Sequence, residues 1–219
     1  MKKVEICQIS VMLEGSLPAS VDYEQNARTF FEKINKEIVL LNAPVLDKNA
    51  WNALPPEVPR IICSDNNSTN LTFAGNNVTI FLKCTGSLWD EELTEIVSAL
   101  SDMFENIGKL YGFNYRFGVV LTINIDKNII QENVEKIMHN SILEKKEWKL
   151  SFLDTKEKDN LSINNWKRYI YNENEGAYKY IIDVNTSAMS TLNLRNDKIL
   201  DVFKIVNEIL HEAYYDCEE

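Results

Sequence analysis

The stretch that decides the fold is residues 113–125, which read FNYRFGVVLTINI. Aromatic or aliphatic residues occupy every odd position of this stretch, and polar residues occupy most even positions. Successive side chains of a β-strand point to opposite faces of the sheet, so the pattern predicts a strand with one buried face. A strand of about 13 residues is far longer than the usual five or six.

The residues before this strand predict a strand, a helix, three strands and a second helix. Residues 7–13 alternate between apolar and polar side chains. From Ala27 to Leu41, apolar residues recur at spacings of three and four, which predicts a helix of about 20 residues with Asp22 near its start. Prolines at positions 55, 56 and 59 then predict an irregular connection.

Three short strands and the clearest helix follow this connection. Gly, Asn, Asp and Ser residues separate the strands, as is typical of tight turns. A wide apolar stripe then predicts a helix that is capped by Ser87 and ends at Gly112. The expected strands are residues 60–64, 69–74 and 78–84.

The residues after the long strand predict the same order of elements. A short helix is expected around residues 130–138, and the final helix has an apolar stripe from Ile199 to Ala213, with Asn196 or Asp197 as its cap. Asn172 to Gly176 form the turn of a predicted hairpin. The strands between the two helices are expected at residues 148–154, 161–171 and 177–184.

The order of elements therefore repeats, and we predict an α+β fold of two topologically similar β-α-β-β-β-α halves. Residues 1–112 form the first half and residues 113–219 the second, packed as one compact unit. Each half is expected to carry its helices on one face of an antiparallel sheet, and the long strand can pair across the halves. Duplication of one unit would explain this order, and coincidence is the alternative.

Composition restricts the class of partner. The 219 residues carry a net charge of −10, which opposes binding to nucleic acid or to an anionic membrane and favours a basic protein partner. The four cysteines are widely spaced, the N-terminus does not resemble a signal peptide, and no apolar run approaches the length that spans a bilayer. These features predict a reduced, cytoplasmic protein.

The sequence offers few residues for catalysis or for binding a metal ion. Its two histidines, His139 and His211, lie on predicted helices without a motif for a catalytic nucleophile. Glu208 precedes His211 at the spacing of a di-iron ligand pair, but Glu135 and His139 have the wrong spacing for the second pair. The sequence also lacks a glycine-rich phosphate-binding motif. We therefore expect a protein that is not an enzyme and that has no cofactor.

Aromatic residues concentrate in the second half, where Trp166, Tyr169 and Tyr178 lie close to lysines and an arginine. Such a mixture can bind single-stranded nucleic acid by stacking and phosphate contact. It also fits a hairpin whose rings pair across its strands while its cations face water, and the overall acidity favours this second interpretation. We expect the hairpin to contribute to a protein contact.

Short motifs resemble a sporadically distributed, uncharacterised bacterial protein family. They are PRIICSD at residues 59–65, NLTF at 70–73, VTIFL at 78–82 and LHEAYY at 210–215. The resemblance implies a bacterial origin and a sheet-helix architecture, and it implies no catalytic residue. The N-terminal strand departs from the family pattern because it lacks a Pro-Pro start. The number of strands and helices per half is also similar to that of the SecB-like chaperone fold.

These observations predict an acidic neutraliser of a basic protein that handles nucleic acid: an immunity protein, an antitoxin or a phage inhibitor. The charge clusters expected to bind the partner are Asp90, Glu91 and Glu92, then Glu173 and Glu175, and the C-terminal tail from Asp216. A SecB-like holdase and an enzyme of unrecognised type are the alternatives. We expect a monomer or a weak homodimer, with free sheet edges at residues 4–14 or 178–184.

Overall fold

The computed structural model describes residues 3–42, 48–84, 89–126, 128–130, 134, 147–172, 177–190 and 192–215. Ten strands form one antiparallel sheet against which the helices pack, and this confirms the predicted α+β class. No helix in the described ranges is long and apolar enough to cross a membrane.

The strands and helices have the following bounds. The strands are β1 (Lys3–Leu13), β2 (Leu40–Asn42), β3 (Pro59–Ser64), β4 (Thr69–Ala74), β5 (Asn77–Lys83), β6 (Asn114–Asn124), β7 (Glu147–Lys158), β8 (Leu161–Asn172), β9 (Ala177–Thr186) and β10 (Leu192–Asn193). The helices are α1 (Tyr23–Lys33), α2 (Lys48–Ala53), α3 (Trp89–Leu110) and α4 (Ile199–Tyr215). Residues 128–130 and 134 are also helical.

The centre of the sheet is the antiparallel pair of β1 and β6, where Ile9 lies opposite Val119. The strand order is β2-β3-β4-β5-β1-β6-β9-β8-β7, and β10 pairs with one end of β6. On one side of this central pair, β1 is followed by β5, β4 and β3. On the other side, β6 is followed by β9, β8 and β7. The pairing of the long strand joins the two predicted sheets into one. Duplication of the halves stays a prediction.

The first helix is shorter than predicted. Asp22 accepts a hydrogen bond from the backbone of Gln25 at 2.9 Å, as expected of a cap. The helix ends at Lys33 because Asn35 has a φ of 53°, in the left-handed region, and the Lys36 amide donates back to the Phe31 carbonyl at 2.9 Å. The apolar residues that continued the predicted stripe, Ile38 and Leu41, lie beyond this turn, and Leu41 belongs to β2.

Other boundaries also differ from the prediction. The connection before β3 contains the short helix α2, and β10 had no counterpart in the sequence pattern. Helix α4 starts at Ile199, and the Asp197 carboxylate accepts from the Asn193 amide at 2.7 Å instead of capping the helix. Ser87 and most of the predicted helix at 130–138 lie outside the described residues.

The predicted free edges lie inside the sheet. Strand β1 pairs with both β5 and β6, and β9 pairs with both β6 and β8. The edge strands of the described sheet are β2 and β7. Alternation of apolar and polar residues shows which face of a strand is buried, but it contains no information about the neighbours beside the strand, so this prediction was wrong.

Asp65 organises the turn between β3 and β4. Its Oδ1 atom accepts hydrogen bonds from the backbone amides of Asn67, Ser68 and Thr69 at 2.8–3.0 Å, and Lys36 Nζ lies 3.5 Å from Oδ2. Burial opposes ionisation of this carboxyl group, but the Thr69, Asn67 and Ser68 amides and Lys36 outweigh it, so the pKa of Asp65 lies below its ordinary value.

We expect Asp65→Asn to lower the free energy of unfolding by about 1 kcal/mol at pH 7, because the bonds to an ionised acceptor are weakened. A carboxyl group whose pKa is lower in the folded state stabilises the fold at pH values above its unfolded-state pKa of about 3.9. This stabilisation is lost as the pH falls through the folded-state pKa. The variant should therefore lose less stability than the wild type between pH 5 and pH 2. Urea denaturation at several pH values measures this, and equal acid sensitivity of both proteins would contradict it.

Candidate functional site

The sheet has a face that the described helices leave uncovered, and we call it the open sheet face. Along β1, Cys7, Ile9 and Val11 are buried, whereas the residues between them are half-buried or exposed. Residues opposite each other on neighbouring strands share a face, so the register extends this assignment across the sheet. One row across the open sheet face contains Phe81, Gln8, Val120, Asp183, Trp166 and Leu153.

Large apolar side chains are exposed on the open sheet face. Ile6, Met12 and Phe81 are each 41–42% exposed. The sequence indicated the exposure of Ile6 and Met12, since both are apolar residues at positions where the alternation predicts the polar face of a strand. We missed this signal because the stronger periodicity of the buried positions defined the strand.

A concavity of about 280 Å³ lies on this face above Gly118. A Cβ atom at Gly118 would lie 2.9 Å from Cβ of Asn185, so glycine allows this close approach of β6 and β9. Arg116 on the rim has no hydrogen bond or ion pair with any described residue, whereas Asp183 is bound by Arg168 at 2.8 Å. Arg116 is therefore the charged group without a described partner at this concavity, beside the neutral polar side chains of Ser10 and Asn185.

The helices on the other face carry most of the negative charge. Helices α1, α3 and α4 contain eleven acidic and four basic side chains, a net charge of −7 out of the −10 of the whole chain. We call their solvent-facing side the acidic helix layer. Several of its carboxylates are compensated by neighbouring cations: Glu24 by Arg28, Asp102 by Lys33, Glu105 by Lys198 and Asp201 by Lys204.

The first two turns of α3 carry the largest group of uncompensated acids; Glu32 of α1 also forms no ion pair with a described residue. Glu91, Glu92 and Glu95 form no ion pair within the part of the chain that the structure describes, and all three are at least partly exposed. Carboxylates near a helix N-terminus also interact favourably with the helix dipole, which accounts for some of their stability there.

Asp90 is engaged inside the protein. Its Oδ1 atom accepts from Asn207 Nδ2 and lies 2.9 Å from His211 Nε2, and the His211 ring lies beside Trp89. Partial burial opposes ionisation of Asp90, but the bonds from Asn207 and His211 hold its pKa below the ordinary value. The Thr94 hydroxyl donates to the backbone carbonyl of Asp90 at 2.9 Å, but no hydroxyl or thiol group of a described residue bonds to the Asp90 carboxylate or the His211 ring, so the pair resembles a helix-helix contact more than a catalytic dyad.

The predicted aromatic contact residues lie on both faces of the sheet. Trp166 lies on the open sheet face with Arg168 5.6 Å from its ring centroid. Tyr169 is 7% exposed and stacks on Tyr180 at 4.7 Å, so it contributes to the core on the helix side. Tyr178 is half-buried on that same side and stacks on Tyr171 at 4.4 Å.

The remaining site predictions concern acids and possible metal ligands. Glu173, Glu175, the tail from Asp216, Glu135 and His139 lie outside the described residues. Glu208 forms an ion pair with Lys158 of β7. The described residues contain no group of three or more His, Cys, Asp or Glu side chains arranged to hold a metal ion.

Cys7, Cys63 and Cys84 are buried free thiols. Burial raises the pKa of the Cys84 thiol to about 11 and raises those of Cys63 and Cys7 as well, which keeps them protonated and unreactive at neutral pH. They act as small core side chains.

Comparison of the chain with known proteins finds no matching family model and no matching curated sequence.

Proposed function

We propose that this chain is a non-enzymatic, cytoplasmic binding protein of a bacterium or phage, and that it neutralises a basic protein that handles nucleic acid. The docking surface is the acidic helix layer. The observation that carries the proposal is the concentration of seven of the ten net negative charges on three helices that cover one face of the sheet. A charged surface of one sign accelerates association with an oppositely charged partner and rejects polyanions.

Within this layer, we assign the partner contact to Glu91, Glu92 and Glu95. Acids that already have a cationic neighbour gain less from a new partner, because their charge is largely compensated. These three carboxylates have no such neighbour among the described residues. Asp90 has a positioning role, since it holds the start of α3 against His211 of α4.

Affinity capture from cells of the native host tests the assignment. We expect the tagged protein to recover a basic protein at 50 mM salt, and the triple variant Glu91→Lys, Glu92→Lys, Glu95→Lys to reduce its affinity at least tenfold. The matched control is Glu14→Lys, Glu37→Lys, Glu57→Lys, which changes the net charge equally at exposed positions outside the three helices. Equal loss in both variants, or a complex that ignores salt, would contradict the proposal.

A second candidate function, that of a SecB-like holdase, is favoured by the exposed Ile6, Met12 and Phe81 on the open sheet face. A holdase suppresses the aggregation of several unrelated proteins, for example heat-denatured citrate synthase, whereas a neutraliser has one tight partner. Light scattering of citrate synthase with and without the chain separates the two. The triple variant of α3 should leave holdase activity unchanged.

A further inference from the structure

The outer edge of β7 is long, regular and exposed. Strand β7 pairs with β8 over twelve consecutive residue pairs without a bulge, and its sequence contains no proline. Its other edge has no strand partner among the described residues. The opposite end of the sheet is different, because β2 has only three residues. Long, flat edges with free backbone amides and carbonyls bind other strands unless something blocks them.

The middle of β7 is exposed on both faces of the sheet. All residues from Ser151 to Thr155 are exposed, including Phe152 at 37% and Leu153 at 49%. Phe152 faces the helix side and Leu153 lies on the open sheet face, so the edge has apolar side chains above and below its backbone. An edge strand that only faces water would not be expected to expose two adjacent large apolar side chains such as Phe152 and Leu153.

We propose that this edge pairs with β7 of a second copy of the chain, in antiparallel orientation about a two-fold axis, so that one sheet continues through a dimer. The axis passes midway between Leu153 and Leu153 of the second copy, which lie opposite each other. Since paired residues must lie on the same face, only registers centred on a residue are allowed.

The charges of β7 favour this register over its neighbours. A register centred on Ser151 forms no charge pair, and one centred on Thr155 places Asp154 opposite Lys156, which is already bound to Glu212. With Leu153 at the centre, Lys149 lies opposite Glu157 of the second copy, and this pair occurs twice. Both side chains lie on the open sheet face, both are exposed, and neither has an ion pair among the described residues. A register centred on Phe152 would place Glu147 opposite Glu157, and one centred on Asp154 would place two aspartates together, so each brings like charges into contact.

Sedimentation velocity from 5 to 200 µM tests the dimer. We expect the wild type to dimerise, Lys149→Glu and Glu157→Lys each to weaken the dimer about tenfold, and the double variant to restore it, because each single change makes two attractive pairs repulsive. The control reversals are Lys109→Glu and Glu37→Lys, at exposed positions far from β7 in sequence. A monomer at all concentrations, or single variants that dimerise like the wild type, would overturn the proposal.

A cross-link tests the register directly. Opposed residues of antiparallel strands have Cβ atoms about 4.5–5.5 Å apart, close enough for a disulfide after a small adjustment. In a Cys217→Ser background, Leu153→Cys should form a covalent dimer on mild oxidation. Thr155→Cys and the exposed Leu110→Cys should not. A Thr155→Cys dimer without a Leu153→Cys dimer would overturn the register, and circular dichroism of each variant separates failure to pair from failure to fold.

Discussion

Arg60→Ala is expected to lower the free energy of unfolding by at least about 3 kcal/mol. Arg60 is 2% exposed and has no carboxylate partner among the described residues. Its guanidinium group instead donates to five backbone carbonyl groups at 3.0–3.4 Å: those of Trp51, Leu54, Pro55, Pro56 and Val58. One side chain therefore satisfies the irregular backbone between α2 and β3.

The size of the effect follows from what alanine leaves behind. Arg60 is the only described donor to the carbonyl groups of Trp51, Leu54 and Val58, whereas those of Pro55 and Pro56 also accept from the backbone amides of Val58 and Asn76. Each buried carbonyl group without a donor costs about 1–3 kcal/mol if water cannot reach it, and the empty volume beside Trp51 adds a cavity term. Trp51 lies 5.3 Å from the guanidinium carbon and stacks on Tyr23 at 4.7 Å, so the loss extends to the contact with α1. Arg60→Lys should recover less than half of the stability, because one ammonium group cannot reach all five acceptors.

Urea denaturation followed by tryptophan fluorescence measures the change. The matched control is Arg28→Ala, which removes an exposed arginine whose only described ion pair is with Glu24 in the same helix, and it should cost far less than Arg60→Ala. A similar cost for both variants would show that the carbonyl groups of Trp51, Leu54 and Val58 find other donors or water.

Much of the fold could be predicted from the sequence, because the strands are patterned along their own length. The alternation in residues 113–125 identified β6, and the turn residues between short strands located β3, β4 and β5. The extension of α1 to Leu41 failed for a local reason. A left-handed Asn35 ends the helix, but the apolar spacing continues past it by coincidence.

The candidate site was harder to predict because it depends on faces and lateral neighbours. Trp166 and Arg168 share a face, whereas Lys167 and Tyr169 lie on the other, so residues that are neighbours in sequence do not form one surface. The acidic character of the chain was evident from composition. The predicted helices already contained most of these acids, but the pairing of β1 with β6, which brings those helices beside one continuous sheet, could not be inferred from alternation along a single strand.

The role of Arg60 was also absent from the sequence analysis, although Pro59 and Arg60 belonged to the motif that carried the family resemblance. An arginine at the start of a strand is ordinarily solvated, and prolines upstream indicate only an irregular backbone. The structure shows why the two features belong together. Pro55 has no amide hydrogen, so the Trp51 carbonyl group lacks the helical donor four residues further on, and the planar Arg60 side chain donates to it instead.

Gly108→Ala tests the contact between α3 and the segment before α4. In an exposed helix this change is stabilising by about 1 kcal/mol, because alanine is the better helix former. Here we expect the opposite, a loss of about 2 kcal/mol. A Cβ atom at Gly108 would lie 2.7 Å from the carbonyl oxygen of Leu194, which is backbone and cannot rotate away. That backbone is also fixed, since the Leu194 amide donates to the Phe113 carbonyl at 3.0 Å.

Gly112→Ala is the matched control, four residues further along the chain. A Cβ atom there would also be too close to a neighbour, at 2.8 Å, but that neighbour is Nε of the exposed Arg195 side chain, which can move into solvent. The control should change the free energy of unfolding by about 0.5 kcal/mol or less. If Gly108→Ala raises the stability instead, the segment at Leu194 yields easily, and the close approach of α3 to it does not constrain the packing of the helix.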